Sequence, residues 1–196
     1  MPTEPLTSSA SLRILEAILK SGEAGAHREV LLLKTEMSTS TLYRGLEPLI
    51  AAGLVEDQRG HYTLPLSHPH NYAFKLWHDQ AQLLELPPPL RTEVLAHVRE
   101  IEAELGANLL VLWLHGSVAQ LAMGVESDVD FLAVVKKDQE LELRGSRPVQ
   151  LTVQTDKAFR QGHRDGDSFL RTVLGHGLLL VDRGYAQEFY RQPFPP

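Results

Sequence analysis

Two short polar runs in the second half of the chain combine residue types that suit phosphate and metal chemistry. The first is Leu114-His115-Gly116-Ser117, and the second, after ten intervening residues, is Asp128-Val129-Asp130. Carboxylates at alternate strand positions face the same side, so both aspartates and the Gly-Ser turn can meet at one point in space. Mg²⁺ takes carboxylate oxygens as ligands, together with phosphates. The two runs therefore indicate nucleotide chemistry or its evolutionary remnant.

The apolar patterns around these runs predict the elements that position them. A helix over residues 90–105, followed by Gly106, leads into a strand at 109–114. After the Gly-Ser turn and a short helix, we expect strands at 131–135 and 149–153, a short edge segment at 141–143, helices at 156–161 and 167–174, and an apolar run at 178–181. Residues 90–196 are therefore predicted to form an α/β or α+β domain.

The motif His115-Gly116-Ser117, Gly124 and Ser127-Asp128-Val129-Asp130 resembles the minimal branch of the DNA polymerase beta-like nucleotidyltransferase superfamily. The resemblance implies that Gly116 and Ser117 hold the phosphates of a nucleoside triphosphate. It also implies that Asp128 and Asp130 are catalytic and bind Mg²⁺, which stabilises the attacking and leaving oxygens of an in-line displacement. Three basic residues lie further along the chain: His163, Arg164 and Arg171. They could contact a triphosphate if their side chains face the nucleotide-binding cleft.

The same family uses a third carboxylate on the strand that follows the Asp-x-Asp motif. In this chain Gln150 stands where that acid is expected. A neutral amide can ligate a cation, but it cannot act as a base or offset the charge of the ion. The acids nearest to this strand in the sequence are Glu142 and Asp156, and neither lies in its middle. The resemblance therefore predicts a fold and a phosphate and metal site, while transferase activity stays open.

Residues 1–66 follow a different pattern, with three helices and a hairpin. The helices are expected at 12–19, at 30–34, and from an N-cap at Ser38 to an αL residue at Gly53, and residues 54–64 indicate two short strands around a glycine-containing turn. This order resembles the winged helix-turn-helix family, in which the third helix enters the DNA major groove. The resemblance implies DNA contacts at Ser38, Thr39, Ser40, Tyr43 and Arg44, with Arg59 on the wing.

The charge of the chain limits how DNA binding can work. The net charge is −6, and acids at least equal bases within the first 66 residues. Useful affinity would need Lys34, Arg44 and Arg59 on one face, and a homodimer to double them. Winged helices also serve as protein-protein or dimerisation modules, which is the alternative for this domain.

Residues 67–89 are predicted to connect the two domains. The segment is rich in His, aromatic residues and Leu, and it ends in Pro87-Pro88-Pro89, which a helix interior does not tolerate. A helix with a wide apolar face is expected over 72–86. Four histidines near the connector lack the spacing of a tetrahedral metal site, so we expect solvated or interface-lining side chains: His61, His68, His70 and His78.

Composition excludes several classes of protein. The chain has no cysteine, which excludes disulfides and thiolate zinc sites and fits a reducing, cytoplasmic setting. No apolar run approaches the roughly 20 residues of a membrane-spanning helix, so no membrane partner is expected. The first residues lack the basic cluster and apolar region of a secretory signal.

Together these patterns predict a DNA-binding transcriptional regulator whose second domain binds a nucleotide with Mg²⁺. In this hypothesis Ser117, Asp128 and Asp130 form a ligand sensor, and the protein acts as a homodimer on double-stranded DNA. One alternative is an active nucleotidyltransferase that moves a nucleoside monophosphate from a triphosphate to a hydroxyl of a protein or small molecule. Another is the antitoxin partner of a small helical toxin.

Overall fold

The computed structural model describes residues 8–22, 25–124, 127–143, 145, 147–192 and 194. The fold is mixed α/β, as the sequence predicts, and the chain divides into two compact units, Met1–Lys75 and Leu76–Pro196. The division falls inside the segment that was expected to be a connector. Within the part of the chain that the structure describes, no helix combines the length and apolarity that crossing a membrane requires.

The first unit contains three helices and a small antiparallel sheet. Its elements are α1 (Ser9–Leu19), β1 (Ala26–His27), α2 (Arg28–Thr35), α3 (Thr39–Ala51), β2 (Glu56–Asp57) and β3 (His61–Thr63). The sheet has the strand order β1-β3-β2. Strand β1 therefore adds a third strand to the hairpin of β2 and β3, and the sequence patterns do not predict it. The three helices and β1 and β3 enclose one apolar core that includes Ile14, Leu42 and Leu46.

Local capping chemistry fixes the ends of α3 where the sequence predicts them. The Ser38 hydroxyl accepts a hydrogen bond from the Thr41 N–H at 3.2 Å, which satisfies one of the free donors of the first turn. Past the other end, Gly53 has φ of +69°, a left-handed conformation that favours glycine. Both predicted cap residues of this helix are confirmed.

Two helices follow, α4 (Pro69–Glu85) and α5 (Pro88–Leu105), and the boundary between the units lies within α4. The three prolines do not separate the helices by a long linker, because α5 begins at Pro88, where a first-turn proline loses no hydrogen bond. The end of α4 belongs to the core of the second unit through Leu83, and Leu86, just after the helix, joins the same core.

The second unit is built on a four-stranded sheet with strand order β6-β5-β4-β7. The remaining elements are β4 (Leu109–His115), α6 (Gly116–Ala119), β5 (Val129–Val135), β6 (Val149–Thr155), α7 (Asp156–Asp165), α8 (Ser168–His176), β7 (Leu178–Asp182) and α9 (Ala186–Arg191). Strand β4 runs antiparallel to β5 and β7, whereas β5 and β6 are parallel. The Leu179 N–H of edge strand β7 donates to the buried Asp79 carboxylate at 2.9 Å.

Helices cover both faces of this sheet. On one face, α5 packs its apolar side against Leu114, Phe131 and Val135. On the other face, the Phe159 ring of α7 stacks on the Trp113 indole of β4, with ring centres 5.6 Å apart and 9° between the planes. A strand buried on both sides explains the nearly continuous apolar run of β5.

The structure of this unit differs from the sequence predictions in three places. Residues 141–143 form no strand, because nothing in the described sheet pairs with them. Helix α9 was not expected, although Asp182 caps it by accepting from the N–H groups of Tyr185 and Ala186. Near the end of the described chain, Phe194 is also buried, with its ring centre 4.3 Å from that of His163, a contact that the sequence patterns do not predict.

The buried His163 makes the stability of this unit sensitive to acid. Burial lowers the pKa of His163, opposed by a hydrogen bond to the Gln192 backbone and by the Glu188 charge. Because the folded pKa lies below the unfolded one, stability is complete above about pH 6.5 and is lost as the pH falls through the folded pKa. We predict that His163→Gln flattens the decline of unfolding free energy between about pH 7 and pH 5.

The measurement is urea unfolding followed by tryptophan fluorescence, because Trp77 and Trp113, the two tryptophans of the chain, both lie in the second unit. The exposed His70→Gln is the control and should retain the wild-type pH profile. Identical profiles for His163→Gln and the wild type would contradict the assignment to His163.

Candidate functional site

Three polar side chains lie next to one another on adjacent strands of the second unit. Asp130 is directly opposite His115 in the antiparallel pairing of β4 and β5, and it is aligned with Gln150 in the parallel pairing of β5 and β6. Neighbouring strands are about 4.8 Å apart, so the three residues form a row across three adjacent strands. The row lies at the edge of the sheet where β4 ends and where β5 and β6 begin.

This row faces the side of the sheet that α5 does not cover. Successive strand residues alternate between faces, and the neighbours Leu114, Phe131 and Leu151 contribute to the core beneath α5. Asp130 is half-buried, and Gln150 is exposed. The face opposite α5 is therefore polar at this one edge and apolar further along, where Trp113 lies.

The remaining motif residues lie at the ends of the same strands. Asp128 is exposed and immediately precedes β5. Ser117 is half-buried in the first turn of α6, so Gly116 and Ser117 begin a four-residue helix, whereas the sequence suggested a turn that precedes a helix. Ahead of Asp128, the Ser127 hydroxyl accepts a hydrogen bond from the Gly124 N–H at 2.8 Å, which holds the two ends of this loop together.

Gly116 is needed for the close approach of Asp130. A Cβ atom at position 116 would lie 2.3 Å from the Asp130 Oδ2 atom, and the φ of Gly116 is +74°, a region that other residues rarely adopt. The Asp130 carboxylate thus lies against the backbone at the start of α6.

His115 belongs to this row, although the sequence reasoning gave it no role of its own. Burial lowers the pKa of His115, and the Asp130 charge and a hydrogen bond to the Phe131 backbone partly oppose that shift. The ring contacts Phe169 of α8 edge to face, with centres 5.2 Å apart, and its buried Nε2 finds no hydrogen-bond partner in the described chain. The site therefore contains a neutral imidazole with an unused nitrogen beside a carboxylate.

Among the residues that the structure describes, no other acid takes the position that the resemblance assigns to a third carboxylate. The strand position aligned with Asp130 is held by Gln150. Asp156 is six residues further along, about 20 Å away at the opposite end of β6, where it accepts hydrogen bonds from Arg160 and Tyr185. Glu142 is exposed and lies outside the strands of the sheet.

The donors at this edge fit a hard cation held with phosphate. Among the described residues, no group of three His, Asp or Glu side chains is arranged to hold a metal. The oxygen donors along these strand ends are instead two aspartates, the Gln150 amide and the Ser117 hydroxyl. Oxygen donors of this kind suit Mg²⁺, which usually completes its coordination with water and substrate phosphates.

The basic residues that could have added triphosphate contacts are engaged elsewhere. His163 is buried among Phe189 and Phe194, the Arg171 guanidinium lies 5.0 Å from the centre of the Phe194 ring, and Arg164 donates to the Gln161 side chain. The sequence hypothesis that these residues form part of the site is therefore not supported by their positions.

The first unit presents the side chains that were expected to contact DNA on its surface. Ser38, Thr39, Ser40, Tyr43, Arg44 and Arg59 are all exposed. Arg28 also lies beside α3, although the sequence patterns gave it no role in DNA binding. A hydrogen bond with the Tyr43 side chain of α3, and then the Glu29 carboxylate, raise the pKa of Arg28. Lys34 donates to the Ser21 hydroxyl at 2.9 Å, so it contacts the turn after α1.

Comparison with known proteins adds no family to this description. The chain matches no protein-family model, and no curated protein is significantly similar to it in sequence. The interpretation of both units therefore depends on their own residues and geometry.

We predict that Gly116→Ala destabilises the second unit and displaces Asp130. The left-handed backbone alone should cost about 1–2 kcal/mol, and the added methyl group must push the carboxylate away. Urea unfolding monitored by tryptophan fluorescence measures the loss. Gly175→Ala in α8 is the matched control, because its Cβ meets nothing within 4 Å and alanine favours a helix. Equal stability of the Gly116 variant and the wild type would rule out the tight contact.

Proposed function

We propose that the protein is a DNA-binding transcriptional regulator whose second unit binds a nucleoside triphosphate together with Mg²⁺. The observation that carries the proposal is the strand register that places Asp130 between His115 and Gln150, against the backbone of Gly116. This arrangement supports the resemblance to a minimal nucleotidyltransferase-like domain. The first unit supports the resemblance to a winged helix through its element order and its exposed polar helix α3.

In this proposal each residue of the second site has a defined part. Asp128 and Asp130 hold Mg²⁺, which neutralises phosphate charge when bound, and Gln150 contributes a neutral amide oxygen. Gly116 lets the Asp130 carboxylate lie against the start of α6, and the Ser117 hydroxyl can donate to a phosphate oxygen. The neutral His115 ring closes the site on the side of β4.

The same residues favour ligand binding over nucleotidyl transfer. Transfer needs a base or a second metal to activate the acceptor hydroxyl, and Gln150 supplies neither a base nor a negative charge. Asp156 is too far along β6 to replace it. The site therefore has what is needed to hold a triphosphate with one Mg²⁺.

The DNA-binding part of the proposal depends on helix α3 and the hairpin of β2 and β3. Exposed hydroxyls at the start of α3 and the Tyr43 side chain suit phosphate oxygens, and Arg44 suits a phosphate or a guanine edge. Arg59, with φ of +59°, lies in the hairpin turn. Arg28 beside Tyr43 adds a cation to this face. The net charge of −6 opposes binding to DNA. A homodimer would offset this repulsion, because it doubles these contacts on two half-sites.

We predict that Asp130→Asn abolishes Mg²⁺-dependent nucleotide binding. Removing one of the two carboxylates halves the charge that holds the ion, while the amide keeps the shape of the side chain. Isothermal titration calorimetry with each nucleoside triphosphate and Mg²⁺ makes the test. Asp138→Asn is the matched control, because Asp138 is exposed and lies beyond the other end of β5.

Two outcomes would count against nucleotide sensing. If the wild-type protein binds no triphosphate in Mg²⁺, the site has another ligand. If a labelled triphosphate becomes covalently attached to an acceptor, and Asp130→Asn prevents it, the protein is a transferase and Gln150 does not prevent catalysis.

We also predict that Arg44→Ala and Arg59→Ala each weaken DNA binding and make it less sensitive to salt. Each lost phosphate contact should reduce the slope of log affinity against log salt by about one. Fluorescence anisotropy on DNA recovered by selection from random sequences measures affinity and slope together. Lys157→Ala, an exposed cation of the second unit, is the control. Unchanged slopes for both arginine variants would exclude this face as the DNA surface.

A further inference from the structure

Two histidines that are far apart in the sequence lie directly opposite each other in the small sheet of the first unit. His27 of β1 pairs with His61 of β3, and their ring centres are 4.6 Å apart with 60° between the planes. Their neighbours Ala26 and Tyr62, which also form a pair, are buried in the core. The two imidazoles therefore project from the opposite, outer face of the sheet.

Packing and capping do not explain this pair. His27 is exposed and His61 is half-buried, so neither ring fills the core. His27 occupies the N-cap position of α2, where a short polar side chain usually accepts a backbone hydrogen bond, but its ring makes no such bond. Among the described residues, neither imidazole ring has a hydrogen-bond partner. The ring nitrogens are thus available to a ligand.

The separation of the rings matches chelation of one metal ion. Two imidazoles that each bind the same ion at about 2.0–2.1 Å, at a tetrahedral angle, have ring centres about 5 Å apart. The observed 4.6 Å needs only a small side-chain adjustment. Imidazole nitrogen is a preferred ligand of Zn²⁺, Ni²⁺ and Cu²⁺ and a poor one for Mg²⁺, which separates this pair chemically from the aspartate site.

The pair also joins two segments of the first unit that are far apart in the sequence. Strand β3 is one arm of the hairpin whose turn carries Arg59, and β1 leads directly into α2. The segments already touch near the turn, where the Arg28 N–H donates to the Gly60 carbonyl at 3.2 Å. A metal ion shared by the two histidines would add a side-chain cross-link on the outer face to the backbone pairing of β1 and β3.

We propose that His27 and His61 form a surface site for a divalent transition-metal ion, which clamps the β2 and β3 hairpin to the start of α2. Solvent molecules complete the coordination. Binding of the ion does not depend on the DNA or nucleotide hypotheses. Any effect of the ion on DNA affinity does depend on the proposed function, because it would act through the position of the hairpin.

The test is calorimetric titration of the full chain with Zn²⁺, without DNA or nucleotide. His27→Ala and His61→Ala should each weaken Zn²⁺ binding by at least the 10- to 100-fold that loss of an outer-shell contact costs, since each removes a direct ligand. The control is the double variant His68→Ala with His70→Ala. That pair also has neighbouring rings, with centres 5.4 Å apart, in the same unit. Circular dichroism without metal shows whether each variant is folded.

The expected result is one Zn²⁺ site that the control variant retains and that both single variants lose. Equal Zn²⁺ affinity in His27→Ala, His61→Ala and the wild type would overturn the proposal. Loss of binding only in the His68 and His70 variant, or only in Asp130→Asn, would overturn it as well, by assigning the ion to another site. A negative result leaves DNA and nucleotide binding untouched, because those experiments use different residues and ligands.

Discussion

The pairing of β5 with both of its neighbours is the constraint on which the second unit depends. The strand is buried on both faces, and Asp130 is the one residue of its seven that is not fully buried. A slip of one residue would exchange its two apolar faces and carry the aspartate into the core beneath α5. Core packing therefore fixes the register, and the register places the Asp130 carboxylate beside His115 and Gln150.

The helices on the two faces complete the site by different means. The α5 side supplies continuous apolar packing, whereas the α7 and α8 side supplies ring contacts, from Phe159 on Trp113 and from Phe169 on His115. The second contact holds a neutral imidazole at the end of β4, one residue before Gly116. Because Gly116 has no side chain, the backbone and the Asp130 carboxylate can approach each other there. Apolar packing on both faces of the sheet therefore fixes the position of this polar edge.

The sequence predicts those features that depend on local chemistry and misses those that depend on pairing between distant segments. The ends of α3 follow from Ser38 and Gly53 because a cap acts within a few residues. By contrast, β1 is only two residues long, and it becomes a strand through its pairing with β3. The same pairing brings His27 to His61, which no spacing rule could indicate. The expected edge segment at 141–143 had the alternation of a strand but found no partner. Strand β6 was predictable from its apolar alternation and β5 from its short continuous apolar run, whereas the alignment of Gln150 with Asp130 follows from how the two strands pair.

A glutamine rather than a carboxylate at position 150 affects the charge of the polar edge more than its shape. A third acid would bring the negative charge of three carboxylates to one edge, which two divalent ions could balance during transfer. With Gln150, the two aspartates match one divalent ion, and Mg²⁺ is commonly held by one or two carboxylates plus the phosphates of its ligand. An amide beside Asp130 also avoids placing like charges directly opposite each other on paired strands, which destabilises a sheet. A neutral Gln150 therefore adds no charge repulsion beside Asp130, which is compatible with the ligand sensor that we propose.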